Sequence, residues 1–220
     1  MEESHIELFI EKYIKDGNTV ALGASEFSDV FLKKLAIKML KDDIQINFVP
    51  TSAMLAHAAA ELKLPIVSLN EREVDVAVEF ADVVDKEFNF TKLESSSLIR
   101  DKMIAESAAN LIIVAKAGNL KERLSGKALF EISSFGYKHT LAALENFGKS
   151  KLRMQGKEPF KTETKNYLAE VEVDELHNIY EIGQEAKKIP GVLETGIFIG
   201  YADTLITHNG KIDVKSRLKF

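Results

Sequence analysis

The chain has 220 residues, 45% of them hydrophobic and 29% charged, with a formal net charge of −5 and no cysteine. That length supports one large or two small domains around a substantial core. The missing cysteines exclude disulfides, thiolate metal sites and a cysteine nucleophile, and scattered Lys and Arg in an acidic chain give no nucleic-acid surface. No apolar run approaches the roughly 18 residues needed to cross a membrane. The opening Met1-Glu2-Glu3-Ser4-His5 is acidic and begins a helical pattern rather than a signal peptide, so the expected compartment is the cytoplasm.

Residues 3–16 carry an apolar stripe at helical spacing, Ile6, Phe9, Ile10, Tyr13 and Ile14, ended by the turn residues Asp16-Gly17-Asn18. A short apolar strand follows from Thr19 to Gly23, and Ala24 and Ser25 lead into a helix over about 26–40. Ile44 to Val49 reads as the next strand. Pro50-Thr51-Ser52 makes a turn with a helix cap, before an alanine-rich helix over 53–62. Pro65 to Leu69 and Val74 to Val78 read as two further strands, then a helix at about 96–109 and a strand at Leu111 to Ala115. Strands alternating with helices predict parallel pairing through right-handed crossovers, hence an open, doubly wound sheet.

The rhythm changes after about residue 127. Ala128 to Ile132 is a strand, Lys138 to Phe147 a helix ended by Gly148, Lys151 to Met154 and Tyr167 to Val173 strands, and 175–188 a helix turned by Ile189-Pro190-Gly191. Strand, helix, strand, strand, helix, strand predicts a small α+β sandwich. Val192 to Phe198 and Ala202 to Ile206 are expected to return to the main sheet, and Asn209-Gly210 marks a hairpin to Ile212–Val214.

The stretch from Glu79 to Asp101 gathers the chemistry. It runs from the end of an apolar strand into an amphipathic helix and holds Glu79, Asp82, Asp85, Glu87, Glu94 and Lys92. Acids and a lysine where a strand ends are a common address for a site in α/β proteins; the same composition also suits a solvated connection. Phe88 and Phe90 alternate with polar residues and predict an edge strand. Ser95-Ser96-Ser97 would cap the following helix. The five histidines, His5, His57, His139, His177 and His208, are isolated, with no metal-ligand spacing, so no metal site is predicted.

Leu69-Asn70-Glu71, the run Ile99-Arg100-Asp101-Lys102-Met103-Ile104-Ala105, Ile189-Pro190-Gly191-Val192, Thr195-Gly196-Ile197-Phe198 and the pair Ala202-Asp203 carry a resemblance. Over nearly all of its length the chain resembles type A ribose-5-phosphate isomerase. The resemblance implies an α/β fold, a Rossmann-like, doubly wound, mostly parallel sheet with an inserted ferredoxin-like lobe. The larger domain would span 1–127 and 192–220, and the lobe 128–191. It implies a homodimer or homotetramer with a small-molecule sugar or sugar-phosphate partner, acting in the pentose phosphate pathway without metal or organic cofactor. The reaction would interconvert ribose 5-phosphate and ribulose 5-phosphate through an ene-diolate formed by a carboxylate base.

Carried over position by position, the family's D-G-A-D-E becomes Glu79-Phe80-Ala81-Asp82-Val83. Its K-G-G-G becomes Lys92-Leu93-Glu94-Ser95, and its T-R-E-K becomes Ile99-Arg100-Asp101-Lys102. Asp101 would be the base, Asp82 and Glu79 would handle ring opening and hydroxyl protons, and Lys92 would steady the ene-diolate oxygen. Substrate binding would fall to Gly23, Ser25, Glu26, Thr51, Ser52, Glu94 and Ser95. A loop lysine of the family falls on Asn119, with Lys116 and Lys121 as neighbours able to replace it. Phe80, Leu93, Glu94 and Ser95 put side chains where the family has glycines, and Glu26 and Glu94 put negative charge where a phosphate would bind. Two further readings therefore stand beside the isomerase: a diverged relative with weak or no isomerase activity that binds an unphosphorylated sugar-like ligand, and a non-catalytic sensor or binding domain.

Overall fold

A computed structural model describes residues 3–173 and 178–217. In chain order come helix α1 (Glu3–Tyr13), strand β1 (Thr19–Leu22), α2 (Ser28–Asp42), β2 (Asn47–Pro50), α3 (Ala53–Glu61) and β3 (Val74–Phe80). Next are β4 (Val83–Asp85), β5 (Phe90–Thr91), α4 (Leu98–Ser107), β6 (Ala108–Lys116), β7 (Leu120–Lys121), β8 (Lys127–Ile132) and α5 (Tyr137–Leu144). The chain ends with β9 (Gly148–Leu152), β10 (Met154–Gln155), β11 (Glu158–Pro159), β12 (Tyr167–Val173), α6 (Ile179–Ala186), β13 (Val192–Thr195), β14 (Ile197–Phe198), β15 (Thr204–His208) and β16 (Ile212–Ser216). Among the described residues no helix is long and apolar enough to cross a membrane.

Two compact units divide the chain. The first comprises residues 1–80, 103–118 and 201–220, the second 81–102 and 119–200. The first holds a six-stranded sheet in the order β16-β15-β6-β3-β1-β2, parallel throughout except for β16. Val20, Ala21 and Leu22 of β1 and the run from Leu111 to Ala115 of β6 are buried and apolar, as expected when helices cover both faces. Ile6, Phe9 and Ile10 of α1 and Phe31, Leu32 and Leu35 of α2 pack on this sheet.

The second unit holds a four-stranded antiparallel sheet in the order β13-β8-β12-β9, with α5 and α6 inserted between its strands along the chain. This is the ferredoxin-like arrangement expected from the strand-helix rhythm. A second small sheet, β14-β5-β4-β7, carries the stretch of interest.

The structure corrects four expectations. Pro65 to Leu69 is no strand: it makes one bridge, Ile66 to Phe48, and lies at the exposed margin of the sheet. Val192 to Phe198 does not return to the main sheet. It breaks at Gly196 into β13, paired with β8, and β14, paired with β5. Phe88 is no strand residue but sits in a turn with φ of 64°, while Phe90 lies inside a sheet between β4 and β14. The helix predicted from residue 26 starts at Ser28, because Ser25 and Ser28 close a turn: the Ser25 and Phe27 amides donate to their hydroxyls. The beginning of the helix predicted over 175–188, and His177, lie outside the described residues.

Candidate active site

In the second unit, Lys92 and Asp101 meet. Lys92 follows β5 and is 1% exposed; Asp101 lies in the first turn of α4 and is 2% exposed. Lys92 Nζ stands 2.7 Å from Asp101 Oδ2, and Ser95 Oγ donates to the same oxygen at 2.6 Å. The Ser97 amide in turn donates to Ser95 Oγ at 3.0 Å. A buried ion pair persists only when its geometry and remaining hydrogen bonds are satisfied, and this one is tied to backbone on both sides. The Lys92 amide donates to Gly196 O at 2.8 Å, and the Gly196 amide donates to Leu129 O at 2.7 Å. A Cβ at Gly196 would overlap Lys92 O, so the Thr195-Gly196 turn lets the backbone come close enough to hold Lys92.

Asp82, between β3 and β4, accepts the Leu93 amide through Oδ2 at 2.6 Å and so shapes the segment after Lys92. Leu93 is partly buried and packs against the core cluster of Leu98, Leu129 and Leu168. Glu94 is largely exposed and lies 3.8 Å from Arg153, which also donates to Leu93 O and to Glu170. Two of the side chains expected to crowd or charge the site are therefore accounted for elsewhere in this unit.

The sequence reading passed over Glu131. It sits in β8, fully buried, in a strand otherwise made of apolar residues and one lysine. Oε2 accepts Ser97 Oγ and the Ile99 amide, both at 3.1 Å. Oε1 accepts Thr162 Oγ1 at 2.8 Å, Asn166 Nδ2 at 3.0 Å, and Thr164 Oγ1. An acid within an apolar strand was the available signal, since a charge is rarely fully buried without dedicated partners.

In the first unit, Gly23, Thr51 and Glu79 stand at the carboxyl ends of adjacent parallel strands, one step beyond the paired Leu22, Pro50 and Val78. This edge is where open α/β sheets place their ligands. A Cβ at Gly23 would overlap the carboxylate of the buried Glu79. Thr51 Oγ1 donates to Leu22 O at 2.9 Å, and Ser52 caps α3 by accepting the Leu55 amide at 3.2 Å. Phe80 and Phe27 face each other with ring centroids 6.0 Å apart, and His208 meets Phe27 edge-on at 6.0 Å. Glu26 is exposed and pairs with the exposed Lys116 at 3.6 Å. Asn119 ends a single 3-10 turn, and Lys121 is an exposed residue of β7.

Lys102, also in the second unit, is largely buried. Its Nζ donates to Ile197 O at 2.6 Å, lies 3.8 Å from the Phe198 ring centroid and 3.8 Å from Glu194 Oε1. Burial pulls its pKa down to about 8, against the opposing pull of Glu194.

Fold and side chains together define an α/β protein with a lysine–carboxylate centre after a strand end. The ribose 5-phosphate isomerase A (phosphoriboisomerase A) family matches residues 47–211. Ribose-5-phosphate isomerase A 2 of Oceanobacillus iheyensis is 30% identical over 207 residues, covering 92% of both chains. Ribose-5-phosphate isomerase A of Bacillus mycoides is 31% identical over 204 residues, covering 90% of this chain and 92% of its own. Among solved structures, a D-ribose-5-phosphate isomerase in complex with phospho-erythronic acid is 28% identical. It superposes with a TM-score of 0.89 over 98% of this chain and 97% of its own. The Plasmodium falciparum ribose 5-phosphate isomerase, 22% identical, shares the fold with a TM-score of 0.90, over 99% of this chain and 98% of its own. The chain belongs to the ribose 5-phosphate isomerase A family, a family of aldose–ketose isomerases.

Proposed function

We propose that the protein interconverts ribose 5-phosphate and ribulose 5-phosphate with Asp101 as the base. The observation that carries this reading is the buried contact of Lys92 with Asp101, steadied by Ser95. In the open-chain aldose, Asp101 takes the proton from C2 as the electrons of the C–H bond form the C1–C2 double bond of an ene-diolate. The same carboxyl group returns its proton to C1, while the hydroxyl proton of C2 passes to the oxygen at C1. A positioned base supplies about 10²–10⁴-fold. The ammonium of Lys92 stabilises the negative charge that develops on oxygen.

Asp82 and Glu79 take ring opening and hydroxyl protons on the motif resemblance. Gly23, Ser25, Thr51 and Ser52 supply binding groups, with Lys116 standing in for the family's loop lysine. The two acids that seemed to argue against a phosphate do not: Glu26 is exposed and paired with Lys116, and Glu94 is exposed beside Arg153. The phospho-erythronic acid in the 28%-identical relative also supports a phosphorylated ligand. A homodimer or homotetramer in the cytoplasm completes the reading, and light scattering of the purified protein tests the assembly.

The deciding experiment is a coupled assay of ribose 5-phosphate conversion, with Asp101→Asn beside the wild type. Wild-type turnover reduced by about 10³-fold in the variant is expected. A wild type with no turnover, or a variant as fast as the wild type, sinks the proposal.

A further inference from the structure

We infer that Glu131 is a positioning residue for Asp101, a role that rests on the isomerase reading above. Asp101 lies in the first turn of α4, and that turn is gripped from outside its own helix. Glu131 Oε2 accepts the Ile99 amide and the Ser97 hydroxyl, both at 3.1 Å. Amides of a helix's first turn have no partner within the helix, so a carboxylate placed there both satisfies a donor and complements the helix dipole. Capping carboxylates usually belong to the helix's own first residues; this one comes from β8, in the interior of the lobe sheet. A strand in the middle of a sheet is a rigid support, which a residue of the preceding loop is not.

The connection runs from Glu131 to the base in two short paths. Ser97 O accepts the Asp101 amide at 3.1 Å, and the Ser97 amide holds Ser95 Oγ at 3.0 Å, which donates to Asp101 Oδ2. Ser97 thus fixes both the backbone and the carboxylate of Asp101, and Glu131 fixes Ser97. The other carboxylate oxygen binds the segment 162–166 through Thr162, Thr164 and Asn166. That segment reaches the same turn directly: the Glu163 amide donates to Ser96 O at 2.9 Å, and Glu163 lies 3.5 Å from Arg100. All five donors on Glu131 are neutral, and each is spent on one of the two pieces that clasp the start of α4. A purely structural acid would need no such convergence on the turn that carries the base.

The test compares the wild type with Glu131→Gln and Ser97→Ala by steady-state kinetics across pH and by crystal structures of all three. Gln keeps the shape of Glu131 but turns one acceptor into a donor, facing donors. A shift in Asp101 on the order of 1 Å is enough to cost up to about a hundredfold in rate. We expect kcat of Glu131→Gln to fall about tenfold and that of Ser97→Ala about threefold, with KM for ribose 5-phosphate within about twofold of the wild type. The acid limb of the kcat profile should move in both, and the 2.6 Å contact of Ser95 with Asp101 should lengthen in the crystals. Loss of thermal stability alone, with kcat, its pH profile and the Ser95–Asp101 contact unchanged, overturns the inference, as does an effect confined to KM. Should Glu131→Gln fail to fold, Ser97→Ala carries the same decision. A wild type without turnover sinks the isomerase reading instead, and the crystal contact then still decides whether Glu131 holds Asp101.

Discussion

Lys92 and Asp101 are buried charges that depend on each other, and the residues around them show what a linear pattern can carry. The acids and the lysine of the stretch 79–101 stood out because they collect at a strand end, although that composition equally suits a solvated connection. The directions of the side chains were not legible. Leu93 and Glu94 follow Lys92 directly, yet one packs against the lobe core and the other faces solvent beside Arg153, a residue 59 positions further on. No local signal contains that partner. Gly23 shows the converse, a position whose meaning lies in one contact. Its Cα faces the carboxylate of Glu79, and a methyl group there would overlap the end of that side chain. A flexible carboxylate can swing away, so Gly23→Ala is expected to keep the fold, with Tm within about 4 °C of the wild type. The displaced Glu79 should lower kcat/KM by about tenfold or more. Thermal melts alongside the coupled assay check this, and an alanine variant of full activity would remove Glu79 from the site.

At the level of elements, regular pieces with strong periodicity were readable and short irregular ones were not. β12 has the bounds expected from its alternation, and the α/β rhythm of the first eighty residues fixed the parallel sheet. The hairpin of β4 and β5 escaped because a side chain builds it. Asp85 is buried and accepts four hydrogen bonds. Oδ1 takes the Glu87 and Asn89 amides at 2.8 and 2.9 Å, and Oδ2 takes Asn89 Nδ2 at 2.9 Å and the Tyr180 hydroxyl at 2.7 Å. In sequence, Asp85-Lys86-Glu87 reads only as an acidic connection. The second strand of the hairpin begins at Phe90, whose ring stacks on Phe198 with centroids 4.4 Å apart, and ends at Thr91, directly before Lys92. It therefore sets where the lysine enters the site. Asp85→Ala takes the acceptor from four donors, of which the Asn89 amide and Nδ2 are buried, and should destabilise the protein by about 3 kcal/mol, measured by urea unfolding. Asp85→Asn keeps one acceptor oxygen and should cost less. Equal stability of Asp85→Ala and the wild type would mean that the hairpin is held by its backbone and the Phe90 stack alone.

Folding stability belongs to the molecule as a whole, and one buried group ties it to pH. Lys102 follows the proposed base in the chain, but its side chain serves the Ile197 carbonyl and the Phe198 ring. Burial lowers its pKa in the folded protein to about 8, from 10.5 in the unfolded chain. Below pH 8 both states carry the proton, and the folded state bears the whole cost of holding a poorly solvated ammonium. Between pH 8 and 10.5 the folded protein releases this proton first, so the unfolded chain binds more protons and stability rises with pH. A difference of 10.5 − 8 = 2.5 units corresponds to about 3 kcal/mol over that window. Other groups also titrate there, so the quantity to follow is the stability of the wild type minus that of Lys102→Met, a variant that retains an unbranched apolar stem over Phe198. Urea unfolding at pH 7.5, 9 and 10 should show this difference moving steadily in favour of the wild type. A difference independent of pH would mean that Lys102 keeps its proton throughout. The ammonium would then be held by Ile197 and Glu194 strongly enough to outweigh its burial, and Lys102 would remain a permanent positive charge next to Asp101 in the chain.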